Sequence, residues 1–344
     1  MSRVDVIVPC YKYGHFLPEC VESVLGQEGV DVRVLIIDDA SPDDSAAVGA
    51  RLASEDRRIE FRRHFINQGH IATYNEGIDW ASGDYLLLLS ADDVLTPGAF
   101  ARATKLMDGH PELGLTFGRA ITTDNPNFRN QPNITACRHR ILSGAEFWRL
   151  SCADACNIVS TPTAVVRTYL QKSLGGYRRE LPHTGDLEMW MRFAAHAPVG
   201  VLDADQAFYR VHGHNMHKDT FPQRRAVLQQ HCDAFEILFR EYGNRLENRD
   251  ELHRMAMRAL ALGAVRTAGR QLEQGHRDSC EQLLHEALRI FPGIQSERAW
   301  SRIRWKQRLG RRLVLTARQL LGTFRRPATI DHSPFGRSGV FAGV

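Results

Sequence analysis

Residues 85–93 read Tyr-Leu-Leu-Leu-Leu-Ser-Ala-Asp-Asp, an apolar run that ends in the adjacent carboxylates Asp92 and Asp93. The apolar part, residues 85–89, has the length and composition of a strand that is buried on both faces. Sheets of such strands bind ligands beyond the carboxyl ends of the strands. We therefore expect the two carboxylates to mark a functional site.

Similar apolar runs at residues 4–9, 32–37 and 59–64 predict three more strands. Between them, apolar residues recur at helical spacing in residues 17–25 and 71–81. Strands that alternate with helices of this length indicate βαβ units. The fold class is therefore α/β, with a mostly parallel sheet flanked by helices.

A second acidic pair, Asp38 and Asp39, follows the strand at residues 32–37. One such pair is more often a turn former, but two pairs at strand ends of one sheet favour a site. The next four residues, Ser41-Pro-Asp-Asp44, are typical of the N-cap and first turn of a helix.

The second half of the chain has a different pattern, because only helical periodicity is visible from about residue 222. The predicted helices cover residues 225–242, 251–273 and 277–291, with Gly275 and Pro292 as breaks. We expect the last two to form a helical hairpin. We divide the chain into a catalytic and ligand-binding domain at residues 1–217, a helical region at 218–296 and a tail at 297–344.

The charge is unevenly distributed along the 344 residues, which carry Lys+Arg 44 against Asp+Glu 40. Ten basic residues and no acidic ones lie between Arg298 and Arg326, so the rest of the chain is net acidic. This distribution argues against a protein whose whole surface binds nucleic acid, and we expect no nucleic-acid partner.

The apolar residues of the basic tail recur along one helical stripe: Trp305, Leu309, Leu313, Ala317, Leu320 and Phe324. Two interpretations stay open. The stripe fits an interfacial helix on an anionic membrane surface, and it also fits a helix that packs on the protein's own acidic surface. We favour the membrane.

The compartment is predicted from what the sequence lacks. No apolar run approaches the ~20 residues of a membrane span, and the first residues are typical of a strand and not of a signal peptide. The seven cysteines show no CxxC spacing, which favours buried reduced thiols. We expect a cytoplasmic protein, peripheral on the inner face of the membrane if the tail binds lipid.

Several blocks in the first 217 residues occur in the order typical of one family, and the chain resembles the inverting family 2 glycosyltransferases. They are 6-VIVPCY-11, 21-VESVLGQ-27, 36-IIDDASPD-43, 67-NQG-69, 75-NEG-77, 82-SGDY-85, 90-SADD-93, 175-GGY-177, 185-GDLEMWMR-192 and 209-YRVH-212. The resemblance implies the glycosyltransferase A fold. It also implies transfer from a nucleotide-sugar, with UDP-sugar favoured, to a carbohydrate or lipid-linked acceptor in polysaccharide or glycolipid synthesis.

A divalent cation, Mn²⁺ or Mg²⁺, is implied because carboxylates alone would repel the diphosphate of the donor. The resemblance makes Asp93 a metal ligand and places Asp92 on the ribose or sugar side. It places His212 near the diphosphate and on the metal. Ser90 stands where the family more often has an acidic residue, which leaves the division of roles between the two carboxylates open.

The resemblance also implies how the base of the nucleotide is held. Asp39 would accept the imide N–H of uracil, and Tyr11 would cover the ring. Pro9 and Asn67 belong to blocks that contribute to nucleotide-sugar binding. Asp38 is expected to cap local backbone donors instead.

Inversion requires a general base that deprotonates the acceptor hydroxyl. Asp186 occupies the position of the family's base, although Gly185 precedes it where family members often have Glu. Glu188 is the rival, and we favour Asp186. Arg210 fits a structural ion pair as well as a phosphate clamp.

Two other functions stay open on the sequence alone. A nucleotidyltransferase would also gather carboxylates and metal around a nucleotide, but it normally has a Gly-rich loop, and residues 9–14 contain only Gly14. A non-catalytic nucleotide-sugar-binding scaffold would share the binding residues and lack turnover.

Overall fold

The computed structural model describes residues 1–124, 132–134, 138–213, 215 and 221–308. The chain divides into two compact units. The first contains residues 1–148 and 157–215, and the second contains residues 149–156 and the described residues from 221 onward. The predicted boundary at residue 217 falls outside the described residues and stays a prediction.

The first unit alternates strands and helices, as the sequence predicted. Its elements are β1 (Arg3–Cys10), α1 (Leu17–Leu25), β2 (Asp31–Asp38), α2 (Ser45–Glu55), β3 (Ile59–Arg63), α3 (His70–Trp80), β4 (Tyr85–Leu88), β5 (Val94–Leu95), α4 (Ala99–Gly109), β6 (Leu115–Thr123), β7 (His139–Leu142), α5 (Gly144–Asp154), which continues into the second unit, β8 (Val165–Arg167), α6 (Thr168–Leu174), α7 (Gly185–Ala194) and β9 (Val199–Arg210).

The strands form one mixed sheet in the order β3-β2-β1-β4-β8-β6-β9-β5, with β7 paired to β9. Strands β1 to β4 are parallel, so that Val6 lies opposite Val34 on one side and Leu87 on the other. The expectation of a mostly parallel sheet is correct only for this half and for the β6–β9 pair. Strands β5, β7 and β8 pair antiparallel with their neighbours.

Both faces of the parallel half are covered by helices, which explains its nearly continuous apolar strands. Val6 and Val8 belong to a core cluster with Val21 of α1. Ile7, one position along, points to the other face. There a Cβ on Gly77 of α3 would lie only 2.3 Å from Ile7 Cγ2, so glycine allows this close approach.

The predicted start of α2 at Ser41 is wrong, because the helix begins at Ser45. The Ser41 hydroxyl accepts the backbone N–H of Lys12 (2.9 Å) and is therefore not a cap for the helix. The Ser41 N–H donates to the Asp38 carboxylate (3.2 Å), which is the local capping that the sequence predicted for Asp38.

The second unit is helical. It contains α8 (Phe221–Tyr242), α9 (Arg249–Gln274) and α10 (Arg277–Ile290). Gly275 ends α9 with a φ of +94°, a left-handed conformation that glycine adopts at little cost. Ala264 and Ala268 of α9 share a core with Leu283 of α10, which confirms the predicted helical hairpin.

Residues 298–308, the first part of the basic tail, are also helical. Ile303 is buried in the core of the second unit, and Lys306 pairs with Glu273 (2.9 Å). Trp305 lies two residues from Ile303 and is 61% exposed. The remainder of the predicted stripe, from Leu309 to Phe324, lies outside the described residues.

Two expectations about composition can be compared with the described part of the chain. Its cysteines are all free, and all except Cys156 are buried. None of its helices combines the length and the hydropathy that a bilayer crossing requires.

Candidate active site

Asp92 and Asp93 follow β4 and are both buried. Asp92 Oδ2 accepts hydrogen bonds from His212 Nε2 (3.0 Å) and from Asn215 Nδ2 (3.2 Å). Asp93 Oδ1 accepts the backbone N–H of Arg210 (3.2 Å). The end of β9 and the residues after it are therefore held against the end of β4.

Arg210 is the main tie between these two strands. Its Nε donates to the main-chain carbonyl of Asp92 (3.0 Å), and its Nη2 pairs with Glu19 of α1 (2.7 Å). The guanidinium also lies over the ring of Phe16, 4.4 Å from the centroid. These contacts agree with the structural alternative for Arg210, because Nε and Nη2 are both engaged by protein groups.

The acidic pair is incompletely neutralised. Burial raises the pKa of Asp92, and the hydrogen bond from His212 opposes this shift. Burial, and then the neighbouring charge of Asp92, raise the pKa of Asp93 well above its usual range. A cation bound here would relieve the cost of holding two carboxylates in a buried place.

Asp186 is the second residue of α7 and is half-buried. Its Oδ2 accepts a hydrogen bond from Thr161 Oγ1 (2.7 Å). Burial raises the pKa of Tyr209 to about 12, with contributions from the charges of Asp93, Asp92 and Asp186. Thr161 lies in a helical turn, Thr161–Thr163, that packs against β4, β5 and β9. These strands flank the acidic pair, so the structure brings Asp186 to the same edge of the sheet.

Glu188, the rival base, is fully buried. Arg178 Nε (3.1 Å) and Arg192 Nε (3.0 Å) both donate to its Oε1, and Arg192 makes a second ion pair with Oε2. A carboxylate enclosed by two guanidinium groups cannot reach an acceptor hydroxyl. These contacts give Glu188 a structural role.

Asp39 lies at the same edge of the sheet, after β2. Its Oδ1 accepts the N–H of Gln68 (2.7 Å) and its Oδ2 the N–H of Gly69 (2.9 Å). Asn67 Nδ2 donates to the main-chain carbonyl of Asp39 (3.1 Å). Asp39 and Asn67 are therefore neighbours, and the loop at residues 67–69 is fixed by the carboxylate.

Pro9 and Tyr11 mark the end of β1, which lies between β2 and β4. Pro9 is inside the strand, opposite Ile37. Tyr11 is 41% exposed, and Lys12 follows it with a φ of +63°, which turns the chain away from the sheet. Along this edge of the sheet Tyr11 therefore lies between Asp39 and the acidic pair, with its side chain partly exposed.

The structure adds three residues that the sequence analysis missed. Asn215 lies three residues beyond the predicted His212, and its Oδ1 also accepts the backbone N–H of His212 (2.6 Å). Thr161 belongs to a region without a recognisable motif. His64, directly after β3, bonds to Asp39 and follows a strand of the same sheet, which is the one signal that could have identified it.

Of the two predicted metal ligands, His212 is hydrogen-bonded to Asp92 and not to Asp93, the other predicted ligand. Within the described ranges there is no group of three or more His, Cys, Asp or Glu side chains arranged to hold a metal ion. The donors in this part of the chain thus offer an incomplete coordination shell.

Comparisons with known proteins concern the family and the fold of the chain. A model of the family described as Glycosyl transferase family 2 matches residues 5–165. A GalNAc(5)-diNAcBac-PP-undecaprenol beta-1,3-glucosyltransferase of Campylobacter jejuni is 29% identical over 135 residues, which cover 38% of this chain and 42% of the relative. The chain spans between 29% and 63% of the length of three curated relatives that it matches.

Two solved structures share the fold. S. aureus TarS 1-349, in complex with UDP-GlcNAc, has a TM-score of 0.54 at 15% identity, over 82% of this chain and 90% of TarS 1-349. The mannosyltransferase PcManGT from Pyrobaculum calidifontis, in complex with GDP-Man and Mn²⁺, has a TM-score of 0.56 at 15% identity, over 94% of this chain and 87% of its own. At this identity the likeness concerns the fold alone, and it confirms the predicted glycosyltransferase A architecture.

The structural role of Glu188 predicts a loss of stability. Glu188→Gln leaves the buried Arg192 and the half-buried Arg178 with fewer charges to pair with. It should lower the free energy of unfolding by about 3 kcal/mol, the usual cost of breaking a buried ion pair. Urea denaturation measures the change. The control is Glu180→Gln, an exposed partner of Arg178 at 3.8 Å, which should change stability by less than about 0.5 kcal/mol. Equal stability of both variants would contradict the assignment.

Proposed function

This chain belongs to glycosyl transferase family 2 through residues 5–165, and on that premise we propose that it moves a sugar from a nucleotide-sugar to an acceptor hydroxyl with inversion. The observation that carries the proposal is that Asp186, held by Thr161, lies at the same edge of the sheet as the acidic pair Asp92–Asp93. A general base and a diphosphate site must be close together, because the acceptor attacks the carbon that the diphosphate leaves.

Asp186 fits the role of the base. It lies in the first turn of α7, where the helix dipole favours a negative charge, and it is half-buried rather than enclosed. The Thr161 hydroxyl donates to Oδ2 and fixes the carboxylate. A carboxylate has about four acceptor positions, so this contact is compatible with accepting the proton of the acceptor hydroxyl. Inversion follows when Asp186 and the leaving diphosphate lie on opposite sides of the sugar ring.

A divalent metal fits the residues that are present. Asp92 and Asp93 supply hard oxygen donors whose buried charge needs compensation, and His212 supplies an imidazole, a donor that suits Mn²⁺ better than Mg²⁺. We infer that Asp93, with His212, holds the cation and that donor phosphates complete its coordination. The cation would neutralise the charge of the departing diphosphate.

UDP-sugar is the donor that we favour. Asp39 would accept the imide N–H of the base, and the partly exposed Tyr11, which follows the neighbouring strand, would cover the ring. Solved structures of the same fold hold UDP-GlcNAc in one case and GDP-Man in another, so the fold by itself does not select the nucleotide.

We propose a lipid-linked or carbohydrate acceptor and a tail that binds the inner membrane surface. The Campylobacter relative carries PP-undecaprenol in its name, which supports a lipid-linked acceptor for this chain. Trp305 supports the membrane contact, because it is exposed while Ile303 fastens the same helix to the second unit. The predicted stripe starts at Trp305 and therefore starts on the side away from this core.

Removal of the base should abolish turnover and spare donor binding. Asp186→Asn keeps the size of the side chain and loses the proton acceptor, so turnover should fall by at least about 100-fold. Calorimetry with UDP and Mn²⁺ should show affinity within about twofold of the unmodified protein, because no donor contact is removed. Asp79→Asn, an exposed aspartate of α3, is the control and should keep full turnover. Full turnover by the Asp186→Asn variant would contradict the assignment of the base. If the unmodified protein binds UDP-sugars but never turns them over, it is a scaffold and not an enzyme.

The metal proposal is tested by thermal unfolding as well as by activity. EDTA should stop transfer, and Mn²⁺ should restore it. Asp93→Asn removes a buried charge, so the metal-free variant should be at least as stable as the unmodified protein. Mn²⁺ with UDP should raise the melting temperature of the unmodified protein and leave that of the variant nearly unchanged. An equal Mn²⁺-dependent shift in both proteins would show that Asp93 is not a ligand.

The tail proposal is tested by vesicle pelleting of the full chain and of a chain that ends at Arg308. This truncation keeps the helix that Ile303 fastens and removes five of the ten basic residues between Arg298 and Arg326, each worth about 1 kcal/mol at an anionic surface. Binding to phosphatidylserine vesicles should weaken by at least about tenfold. Neutral vesicles are the control. Equal binding by both chains would defeat the membrane interpretation.

A further inference from the structure

His64 lies between two carboxylates at the end of β3. Its side chain is 7% exposed. Nδ1 is 2.7 Å from Asp39 Oδ1, and Nε2 is 2.8 Å from Glu76 Oε2 of α3. The proposed binding of the nucleotide-sugar uses neither His64 nor Glu76, so their arrangement requires its own explanation.

The geometry identifies the protonation state of the ring. An ionised carboxylate can only accept hydrogen bonds, so both ring nitrogens of His64 must donate, and only the imidazolium has two N–H groups. Burial lowers the pKa of His64, but the hydrogen bonds to Asp39 and Glu76 outweigh it and raise the pKa above its ordinary value. Arg62 Nη1 pairs with Oε1, the other oxygen of Glu76 (3.2 Å).

The imidazolium limits what Asp39 can offer to a ligand. Oδ1 already accepts from His64 and from the N–H of Gln68. Oδ2 accepts the N–H of Gly69. A carboxylate has about four acceptor positions, so among the described residues Asp39 keeps one position, on Oδ2.

We propose that His64 is a positioning residue that determines base specificity: it occupies Oδ1 of Asp39 and leaves one acceptor, which matches the single imide N–H of uracil. Guanine presents two adjacent donors, a ring N–H and an amino group, and needs both oxygens of a carboxylate. The inference rests on the proposed nucleotide-sugar function and deepens it.

The same arrangement makes UDP binding depend on pH. The charged groups around His64 are Asp39 after β2, Glu76 of α3, Arg62 of β3, and Arg63, which pairs with Asp38 (3.3 Å). When His64 loses a proton, one ring nitrogen faces a carboxylate as a second acceptor. The ring then moves away from one partner, Asp39 is less fixed, and UDP affinity falls as the pH rises through the pKa of His64.

The experiment compares UDP and GDP affinity, measured by calorimetry with Mn²⁺ in the full chain between about pH 6 and 8.5, a range that spans the ordinary pKa of histidine and values above it. The variants are His64→Gln and Glu76→Gln. The control is His110→Gln, a surface histidine paired with Glu112 (3.2 Å). In the unmodified protein and the control, UDP should bind at least about tenfold more tightly than GDP.

His64→Gln should reduce the ratio of UDP to GDP affinity by about tenfold, because Oδ1 of Asp39 becomes available to a second donor. Glu76→Gln should keep the ratio and remove the alkaline loss of UDP affinity. A neutral imidazole then suffices, since its N–H donates to Asp39 and its other nitrogen accepts from the amide that replaces the Glu76 carboxylate. If His64→Gln does not fold, Glu76→Gln still tests the inference through the pH profile.

An unchanged ratio in His64→Gln, or an alkaline loss in Glu76→Gln equal to that of the unmodified protein, would overturn the inference and leave the proposed function intact. Failure of the unmodified protein to bind either nucleotide would overturn the proposed function, and this inference with it. A structural role of His64 alone would lower stability without changing the ratio.

Discussion

Two adjacent carboxylates, Asp92 and Asp93, are buried at the carboxyl end of one strand, and the arrangement around them follows from the cost of that burial. A buried carboxylate must be paired, bonded to donors or protonated. The chain supplies His212 and Asn215 to Asp92 but, among the described contacts, only a backbone N–H to Asp93. The deficit explains why the pKa of Asp93 is raised the more strongly of the two, and why the natural complement of the pair is a cation.

The same requirement explains how distant parts of the chain are brought together. Arg210 ends the last strand, 118 positions after Asp92, and donates to the Asp92 carbonyl while it pairs with Glu19 of α1. Because β9 pairs with β5, the strand directly after the acidic pair, the sheet itself delivers Arg210 and His212 to this place. A local motif could not do so. The site therefore forms only when β9 is paired within the mixed sheet.

The sequence predicted the parallel half of the sheet and the helical hairpin well, and physical reasons explain where it did not. Strands β1, β2 and β4 are covered on both faces, so their apolar runs stand out, and α9 and α10 carry long periodic faces. Strands β5, β7 and β8 have two to four residues, too few for periodicity to show. Ser41 was misassigned as a cap because its hydroxyl is engaged by Lys12, a contact set by tertiary structure. Thr161 and His64 were not predicted from the sequence for the same reason. An ordinary threonine or histidine gains its role only from the carboxylate that the fold places beside it.

The buried charges at this edge of the sheet, Asp39 and the pair Asp92–Asp93, are compensated in opposite ways. Asp39 is bonded to two backbone N–H groups and to His64, so it needs no metal cation and keeps a single acceptor position. Asp92 and Asp93 are left short of positive charge. A nucleotide-sugar has the matching asymmetry, with a neutral base at one end and an anionic diphosphate in the middle. A neutral donor group suits the first carboxylate, and a metal-bound anion suits the second pair. Exchanging the two environments would leave a metal cation beside the base and repulsion beside the phosphates, so a nucleotide-sugar bound as proposed would lie across β1 in one direction only.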